Sequence, residues 1–338
     1  MANKRIFYAV ERAGFSKCGE NSFTSVHGLQ SVGVNTRFKL EQVFEISQLA
    51  IYQNIEDLPD IEVTMEKVLD GYPLIYHLAT NGATSASLSG RSNIKATVGL
   101  AIYSDSQDSA SGAAIAECNM SGVYVSALNY NFPVQGNFSE SVTLVGNNKV
   151  WNSSLTFTDS WPNTDVPFAA EGVNRRQHML FGATSPAVPT KSLLPTDIPG
   201  ITASGTNEKT ADVFGAHVQS IKVSCNLGRD QLLELGRRGP YHRYLQFPAE
   251  VRTDIEVLST EGDKVTALED DETNLSDQKI YLMVQEGTKI DLGTKNKLNQ
   301  VTYGGANAGA NGGNATCTYS YTTFNDLIVT HPEDPSGL

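Results

Sequence analysis

The chain has 338 residues and a formal charge of −12, because 25 Lys and Arg stand against 37 Asp and Glu. Hydrophobic residues make up 40% and charged residues 18%, a composition typical of a globular protein with a substantial core and not of a disordered chain. The acidic balance disfavours nucleic-acid binding, since affinity for DNA comes mainly from Lys and Arg that neutralise phosphates. The same charge also serves simply to keep a protein soluble.

The sequence contains no signal for membrane insertion or secretion. No apolar run approaches the roughly 18 residues that a membrane-spanning helix needs. Residues 1–15 mix charged and apolar residues and lack the apolar core of a signal peptide. We therefore expect a protein made and used in the cytoplasm, or released from it by lysis or by a dedicated machine.

The first strong pattern is strand-like alternation on both sides of a turn at 56–60. Residues 37–47 place Phe38, Leu40, Phe44 and Ile46 on one face and mainly charged residues on the other, with Val43 the exception. Residues 61–70 alternate in the same way, with apolar positions opposed by acidic and polar ones. The pattern predicts a long antiparallel hairpin that is buried on one side and acidic on the other.

Short helices are predicted at 73–79, where Pro73 suits a first helical turn, and at 231–235, which ends at Gly236. Further strands are predicted at 123–131, 140–145, 217–225, 244–259, 289–303 and 317–329. The first part of the chain is predicted to run strand, strand, helix, and a related order, strand, helix, strand, follows downstream. The chain is therefore predicted to hold two similar β-rich halves, about 1–181 and 213–338. A loop rich in Pro, Ser and Thr, at 182–212, separates them.

Motifs for catalysis or for cofactors are missing from the sequence. The glycine-rich run at 304–313 is not followed by Gly-Lys-Ser/Thr, and neither H-E-x-x-H nor G-x-S-x-G occurs. Cys18, Cys118, Cys225 and Cys317 lie far apart and have no His at ligand spacing. We expect no enzyme activity, no cofactor and no metal. Free thiols are expected in the cytoplasm, while oxidative pairing after release stays open.

A binding module such as a β-sandwich lectin or adhesin is the main alternative from a different class of protein. It would carry exposed aromatic residues, for which Trp151 and Trp161 are candidates, or a calcium-binding acidic loop. The acidic run at 270–272 is too short for the spacing of such a loop and is better interpreted as a solvated turn.

Several stretches of the chain resemble tail tube (major tail) proteins of long-tailed bacteriophages. The residues that carry the resemblance are R-A-G-F at 12–15, S-V-G-V-N-T-R-F-K-L-E-Q-V-F-E at 31–45, E-D-L-P-D-I-E-V-T-M-E-K-V-L-D-G at 56–71, N-L-G-R-D-Q-L-L-E-L-G-R-R-G-P-Y-H-R-Y-L-Q-F-P-A-E-V at 226–251 and Y-S-Y-T-T-F-N-D-L-I-V at 319–329. The likeness covers most of the chain in pattern and matches the 182–212 region least.

The resemblance implies a virion protein that forms stacked hexameric rings, in which each subunit donates hairpins to an inter-subunit β-barrel around a channel for the genome. It implies assembly in the host cytoplasm with the tape-measure, baseplate and tail terminator proteins, and with a sheath if the tail is contractile. DNA would pass without specific binding. The tube of a tailocin or another contractile injection device is the nearest alternative within this class.

The expected fold is mainly β with short helices, in packed antiparallel sheets of the tail-tube type. A two-sided sheet can pack its apolar face on the subunit and line a water-filled channel with the other. The predicted channel-lining residues are Glu41, Glu45, Glu62, Glu66, Glu250, Asp254 and Glu256. A one-residue slip of a strand would reverse the face that each of them occupies.

Overall fold

The computed structural model describes residues 5–106, 109–152, 155–158, 172–181, 190–201, 217–265, 276–306 and 313–338. These ranges are mainly β. The strands are β1 (Glu11–Lys17), β2 (Ser22–Ser25), β3 (Leu29–Arg37), β4 (Leu40–Phe44), β5 (Ile51–Glu56), β6 (Asp60–Val68), β7 (Ala96–Ile102), β8 (Ala116–Pro133), β9 (Ser139–Gly146), β10 (Val150–Asn152), β11 (Thr156–Thr158), β12 (His217–Asn226), β13 (Arg229–Leu232), β14 (His242–Leu245), β15 (Glu250–Leu258), β16 (Tyr281–Met283), β17 (Lys289–Asp291), β18 (Lys297–Gly305), β19 (Ala315–Phe324) and β20 (Ile328–Thr330). The helices are α1 (Ile75–Ala79) and α2 (Leu88–Ser92), with single 3₁₀ turns at Tyr8–Val10 and Arg176–His178.

The largest feature is an eight-stranded sheet in the order β3-β6-β9-β8-β12-β15-β19-β18, antiparallel throughout. Strand β8 is 18 residues long and belongs to two sheets. Its first part pairs with β7 and β10, and its second part pairs with β9 and β12. A second sheet, in the order β11-β2-β1-β7-β8-β10, therefore continues from the first through one shared strand.

The eight-stranded sheet consists of two groups of four strands with the same topology. The first group has the order β3-β6-β9-β8, and the second has the order β12-β15-β19-β18. When the four strands of each group are numbered along the chain, both groups have the spatial order 1-2-4-3. The register shifts also match. A bulge falls at Gln30 in β3 and at Gln219 in β12, and another falls at Ser126 in β8 and at Asn299 in β18. The pairing thus relates the two groups residue by residue.

The faces of this sheet differ, because successive residues of a strand point to opposite sides. One row of paired, buried positions is Met65, Val142, Leu128, Cys225 and Val251. The neighbouring row on the opposite face is Glu66, Ser141, Asn129, Ser224 and Arg252. The buried face belongs to the main hydrophobic core, and the polar face meets solvent in the isolated chain.

Helix α1 is fastened to the buried face by a carboxylate. Glu140 is fully buried, and its side chain accepts hydrogen bonds from the backbone nitrogens of Ile75 at 2.6 Å and Tyr76 at 3.2 Å. These donors lack partners within the helix because they lie in its first turn. Burial raises the pKa of Glu140, while Lys67 and the backbone donors oppose that shift. The short helix thus takes its place from the sheet beneath it.

The structure confirms the predicted mainly β fold with short helices and antiparallel sheets, and also the predicted strands near 61–70, 123–131, 140–145 and 217–225. The predicted hairpin between 37–47 and 61–70 is wrong. Residues 40–44 pair with 51–56 instead, and β6 pairs with β3. The chain between β3 and β6 is long enough to double back on itself, so it forms its own hairpin before β6 begins.

The predicted helix at 231–235 is also wrong, because β13 covers its start and pairs with β14 from Arg229–Leu245 to Leu232–His242. The helix predicted at 73–79 is confirmed as α1. The prediction of one domain, 1–338, with two similar halves at about 1–181 and 213–338 stays a prediction, and so does the inter-subunit barrel. Residues 182–189 and 202–212 of the predicted loop, and residues 213–216 and 307–312, lie outside the described ranges.

Candidate assembly surface

The polar face of the eight-stranded sheet carries most of the predicted channel residues. Five of the seven lie on it, namely Glu62, Glu66, Glu250, Asp254 and Glu256. Basic residues share this face, namely Arg37, Lys222, Arg252 and Lys297. Asp60, which pairs with Arg37, lies on the same face, so six carboxylates stand against four cations and the face carries a small acidic excess. Hydroxyl and amide side chains fill most of the remaining positions.

Two acidic residues of the second group are held by neighbours on the same strand and on adjacent strands. The carboxylate of Asp254 lies 2.9 Å from Nε of Arg252 and also accepts from the hydroxyl of Ser320. Glu256 accepts from the hydroxyl of Ser220 at 3.0 Å. These contacts orient the side chains along the face and reduce the field that the carboxylates project beyond it.

Glu41 and Glu45 do not lie on this face. Glu41 is in β4, and Glu45 directly follows that strand, in the separate hairpin formed by β4 and β5. The structure therefore groups five of the predicted residues and separates two. That any of the seven lines a channel stays a prediction.

The β4–β5 hairpin exposes apolar residues on both of its faces. Ile46 and Leu49, near its turn, are 96% and 103% exposed. The other exposed large apolar residues of residues 38–55 are Phe38, Leu40, Phe44, Ile51, Tyr52 and Ile55. The sequence-based expectation that Phe38, Leu40, Phe44 and Ile46 form a buried face is wrong for the isolated chain, since within the described residues β4 and β5 pair only with each other. A patch of this kind marks an interaction surface.

The outer edges of the eight-stranded sheet are open. In the part of the chain that the structure describes, no strand pairs with the outer side of β3 or of β18. A groove of about 640 Å³ runs beside β3 and is lined by Tyr8, residues 11–13 and residues 25–32. Open edges present unpaired backbone N–H and C=O groups and invite pairing with another strand.

A buried polar cluster around Glu286 joins the segments at 71, 174 and 286–288. Glu286 is 1% exposed and accepts hydrogen bonds from the backbone nitrogen of Gly71 at 2.9 Å and from the side chains of Thr288 and Asn174. Burial raises the pKa of Glu286 to about 7, and the hydrogen bond from Thr288 opposes the shift. Its partners are backbone and neutral side-chain donors from three segments, so the carboxyl group ties those segments together.

Few of the candidate residues for metal or sugar binding lie within the described ranges. No group of three or more His, Cys, Asp or Glu is placed to hold a metal ion within these ranges. Trp151 lies in β10 and is 53% exposed, whereas Trp161 and residues 270–272 lie outside the described ranges. The four cysteines are free thiols, with Cys18 exposed and the others buried. No described helix has the length and apolar character to cross a membrane.

Comparisons with known proteins leave the family open. No family model matches the chain, and no curated protein matches it in sequence. Among solved structures, the tube-terminating cap of the anti-feeding prophage aligns with 11% identity and a TM-score of 0.33, over 46% of this chain and 95% of that one. A TM-score this low carries no argument about fold or function. The geometry of the chain itself must supply both.

Proposed function

We propose that this protein is a structural, non-enzymatic virion protein that forms the tail tube of a bacteriophage. Its copies would associate into stacked hexameric rings around a channel for genome delivery. The observation that carries the proposal is the eight-stranded sheet with one apolar face, one polar face and two open edges.

The physical reason is closure of the sheet. Pairing the open edges of neighbouring copies removes the unsatisfied backbone groups at both edges and turns the sheet into the wall of a barrel. The apolar face already packs on α1 and the core of its own chain. The polar face is then the one that remains for a water-filled lumen.

The chemistry of the polar face suits a channel through which DNA moves without being held. It offers hydroxyl groups, amides and mixed charges with a small acidic excess instead of a stripe of Lys and Arg. Any residual repulsion acts close to the wall, because the Debye length is about 8 Å at physiological salt. No cofactor and no specific DNA contact belong to this role.

The exposed apolar surface of the β4–β5 hairpin supplies contacts between copies of the chain. Isolated two-stranded hairpins are marginally stable in water, so a hairpin of this composition gains from a protein partner. In a tube, the partners are copies in the same or the adjacent ring. The tape-measure protein inside, the baseplate and tail terminator at the ends, and a sheath outside if the tail contracts, complete the proposed assembly in the host cytoplasm.

The proposed ring could be built from six chains or from three. Six chains follow from the resemblance, which assigns six subunits to a ring. The matching strand order of the two four-stranded groups favours three chains, since each chain would then fill two of six equivalent positions. The mass of a purified ring separates the two versions, because they differ by a factor of two.

Negative-stain electron microscopy of the purified protein, with and without baseplate seeds, tests the proposal. Hollow tubes or stacked rings are expected. A protein that stays monomeric at high concentration under both conditions would contradict it. The tailocin alternative predicts the same tubes in particles without packaged DNA, and the lectin or adhesin alternative predicts hits on a glycan array and no tubes.

A further inference from the structure

The junction between the two groups of strands shows how the end of one group meets the beginning of another. There β8, the last strand of the first group, pairs antiparallel with β12, the first strand of the second group. Tyr130 lies opposite Val223 on the buried face, and each is 1% exposed. Asn129 lies opposite Ser224 on the polar face.

The two open edges are the counterparts of these two strands. β18 holds the position in its group that β8 holds in the first, and β3 holds the position of β12. The bulges at Ser126 and Asn299 align β8 with β18, and those at Gln30 and Gln219 align β3 with β12. Because a bulge fixes the local register of a strand, the correspondence extends to single residues.

We propose that β18 of one copy pairs antiparallel with β3 of the next copy, in the register of the β8–β12 junction. The proposal rests on the proposed function in one respect, that copies of this chain associate side by side. Carrying the internal register over to the two edges gives these opposite pairs: Gly305 with Val32, Gly304 with Gly33, Tyr303 with Val34, Thr302 with Asn35, Val301 with Thr36, and Gln300 with Arg37.

The burial of the edge residues supports this register. Tyr303 is 55% exposed, whereas Tyr130, its counterpart at the internal junction, is 1% exposed. Val34 is half-buried, whereas its counterpart Val223 is 1% exposed. The pairing would bring Tyr303 and Val34 together on the apolar face. Both edges thus hold apolar side chains that remain partly uncovered in a single copy.

The polar face is compatible with the same register. Thr302 meets Asn35 there, and Gln300 meets Arg37, so no like charges stand opposite each other. Each copy contributes one edge of each kind, so the contact is head-to-tail. Such a contact closes into a ring where the rotation between copies allows it and otherwise continues as a filament. Since the inter-copy junction repeats the internal one, every group in the ring would occupy an equivalent position.

Cysteine cross-linking tests the register. The pair Asn35→Cys with Thr302→Cys places two thiols directly opposite on the polar face, where both parent residues are exposed. Opposite residues of antiparallel strands lie about 4.5–5.5 Å apart between Cα atoms, within the range that a disulfide spans. A Cys18→Ser background removes the exposed native thiol. Oxidation of the assembled protein is expected to give a series of disulfide-linked oligomers on a non-reducing gel, up to the fully linked ring. A reducing agent should return all of them to the single chain.

The control is Val34→Cys with Thr302→Cys, in the same background. It shifts one thiol by a single residue and therefore to the opposite face of the sheet, so little cross-linking is expected. Equal linking of both pairs, or rings and tubes with no linking of the first pair, would overturn the proposed register and leave the tube function standing. Linked rings that never stack into tubes would support the register and contradict the tube function. A protein that stays monomeric would overturn both.

Discussion

Two hairpins occupy the same place in the two groups of strands, yet they are held very differently. The β4–β5 hairpin lies between β3 and β6, and the β13–β14 hairpin lies between β12 and β15. The second hairpin returns to the first group, where Arg243 contacts Asp60 and Asn147, and His242 hydrogen-bonds to the hydroxyl of Tyr124 at 2.7 Å. The first hairpin exposes most of its side chains.

This difference follows from the position of the groups in the chain. The β13–β14 hairpin has the first group beside it, across the β8–β12 junction. Within the described residues, no four-stranded group lies beside the β4–β5 hairpin in the way that the first group lies beside the β13–β14 hairpin. In the proposed ring, the second group of another copy occupies that position. The exposed apolar residues of the β4–β5 hairpin are then explained as contacts that only assembly completes.

The two hairpins meet at Asp60. Its carboxylate lies 2.7 Å from Nζ of Lys39 at the base of the first hairpin, 2.8 Å from Nη2 of Arg243 in the second, and 3.0 Å from Nε2 of Gln231. Burial raises the pKa of Asp60, but hydrogen bonds and charges from Lys39 and Arg243 outweigh it, and the net pKa lies below its usual value. This residue provides a direct way to compare how the hairpins are anchored.

The largest expected effect comes from Arg243→Met. The Arg243 side chain is 6% exposed and donates to Asp60, to Asn147 and to the carbonyl oxygen of Gly146. Its loss leaves Asn147 and the carbonyl oxygen of Gly146 without this charged donor and leaves Asp60 with Lys39 as its remaining cation, and we expect the free energy of unfolding to fall by about 2 kcal/mol in urea titrations. Arg237→Met, on the same hairpin but 52% exposed, is the matched control and should change stability by less than about 0.5 kcal/mol. Equal losses would contradict the anchoring role of Arg243.

A smaller effect is expected from Asp60→Asn, of about 1 kcal/mol at neutral pH, since the side chain is 33% exposed. The folded-state pKa is lowered, so the carboxylate stabilises the fold above its unfolded pKa of about 3.8 and loses that contribution as the pH falls. The stability of wild type and variant should therefore converge below about pH 4 in unfolding experiments at several pH values.

Glu56→Gln is the control for Asp60→Asn, because it removes an exposed carboxylate at the end of β5. It should change stability by less than about 0.5 kcal/mol at neutral pH. A constant difference between wild type and Asp60→Asn from neutral to acidic pH would show that charge at Asp60 does not contribute.

The smallest effect on the stability of the single chain is expected from Leu49→Asp, because Leu49 is fully exposed. Unfolding should change by less than about 0.5 kcal/mol, whereas assembly, measured by sedimentation or microscopy, should be lost if the hairpin meets another copy. Gln48→Asp adds the same charge at the neighbouring position without removing an apolar side chain. Equal assembly defects in both variants would point to charge alone and not to an apolar contact.

Sequence alternation located the strands well but did not determine their partners. Residues 61–70 and 217–225 are strands, as predicted. The strong alternation of 37–47 predicted a buried face, yet Phe44 and Ile46 are exposed, because alternation reports two unlike sides and not what covers them. At 231–235 the run Gln-Leu-Leu-Glu-Leu has helical composition, and the pairing of β13 with β14 overrides that preference.

The sequence also predicted the candidate surface only in part. The acidic positions of β6 and β15 fall on one face because a period of two fixes their side. Glu41 and Glu45 follow the same period, but their strand leaves the sheet. Arg252 shares the alternation of β15 with Glu250 and Asp254, whereas Lys222 and Lys297 join the face through strand pairs that the sequence does not identify. The sequence did not identify the open edges either, because an edge depends on which strands pair in the sheet.

The sequence by itself determined a mainly β protein, most of its strand positions and the division of the central strands into an apolar and a polar side, because these depend on local periodicity. Only the tertiary structure decided that two groups of four strands share one order and join through β8 and β12. It also decided which edges stay open and which hairpin stays exposed. Those features arise from hydrogen bonds between segments far apart in the chain, and local side-chain patterns do not encode them.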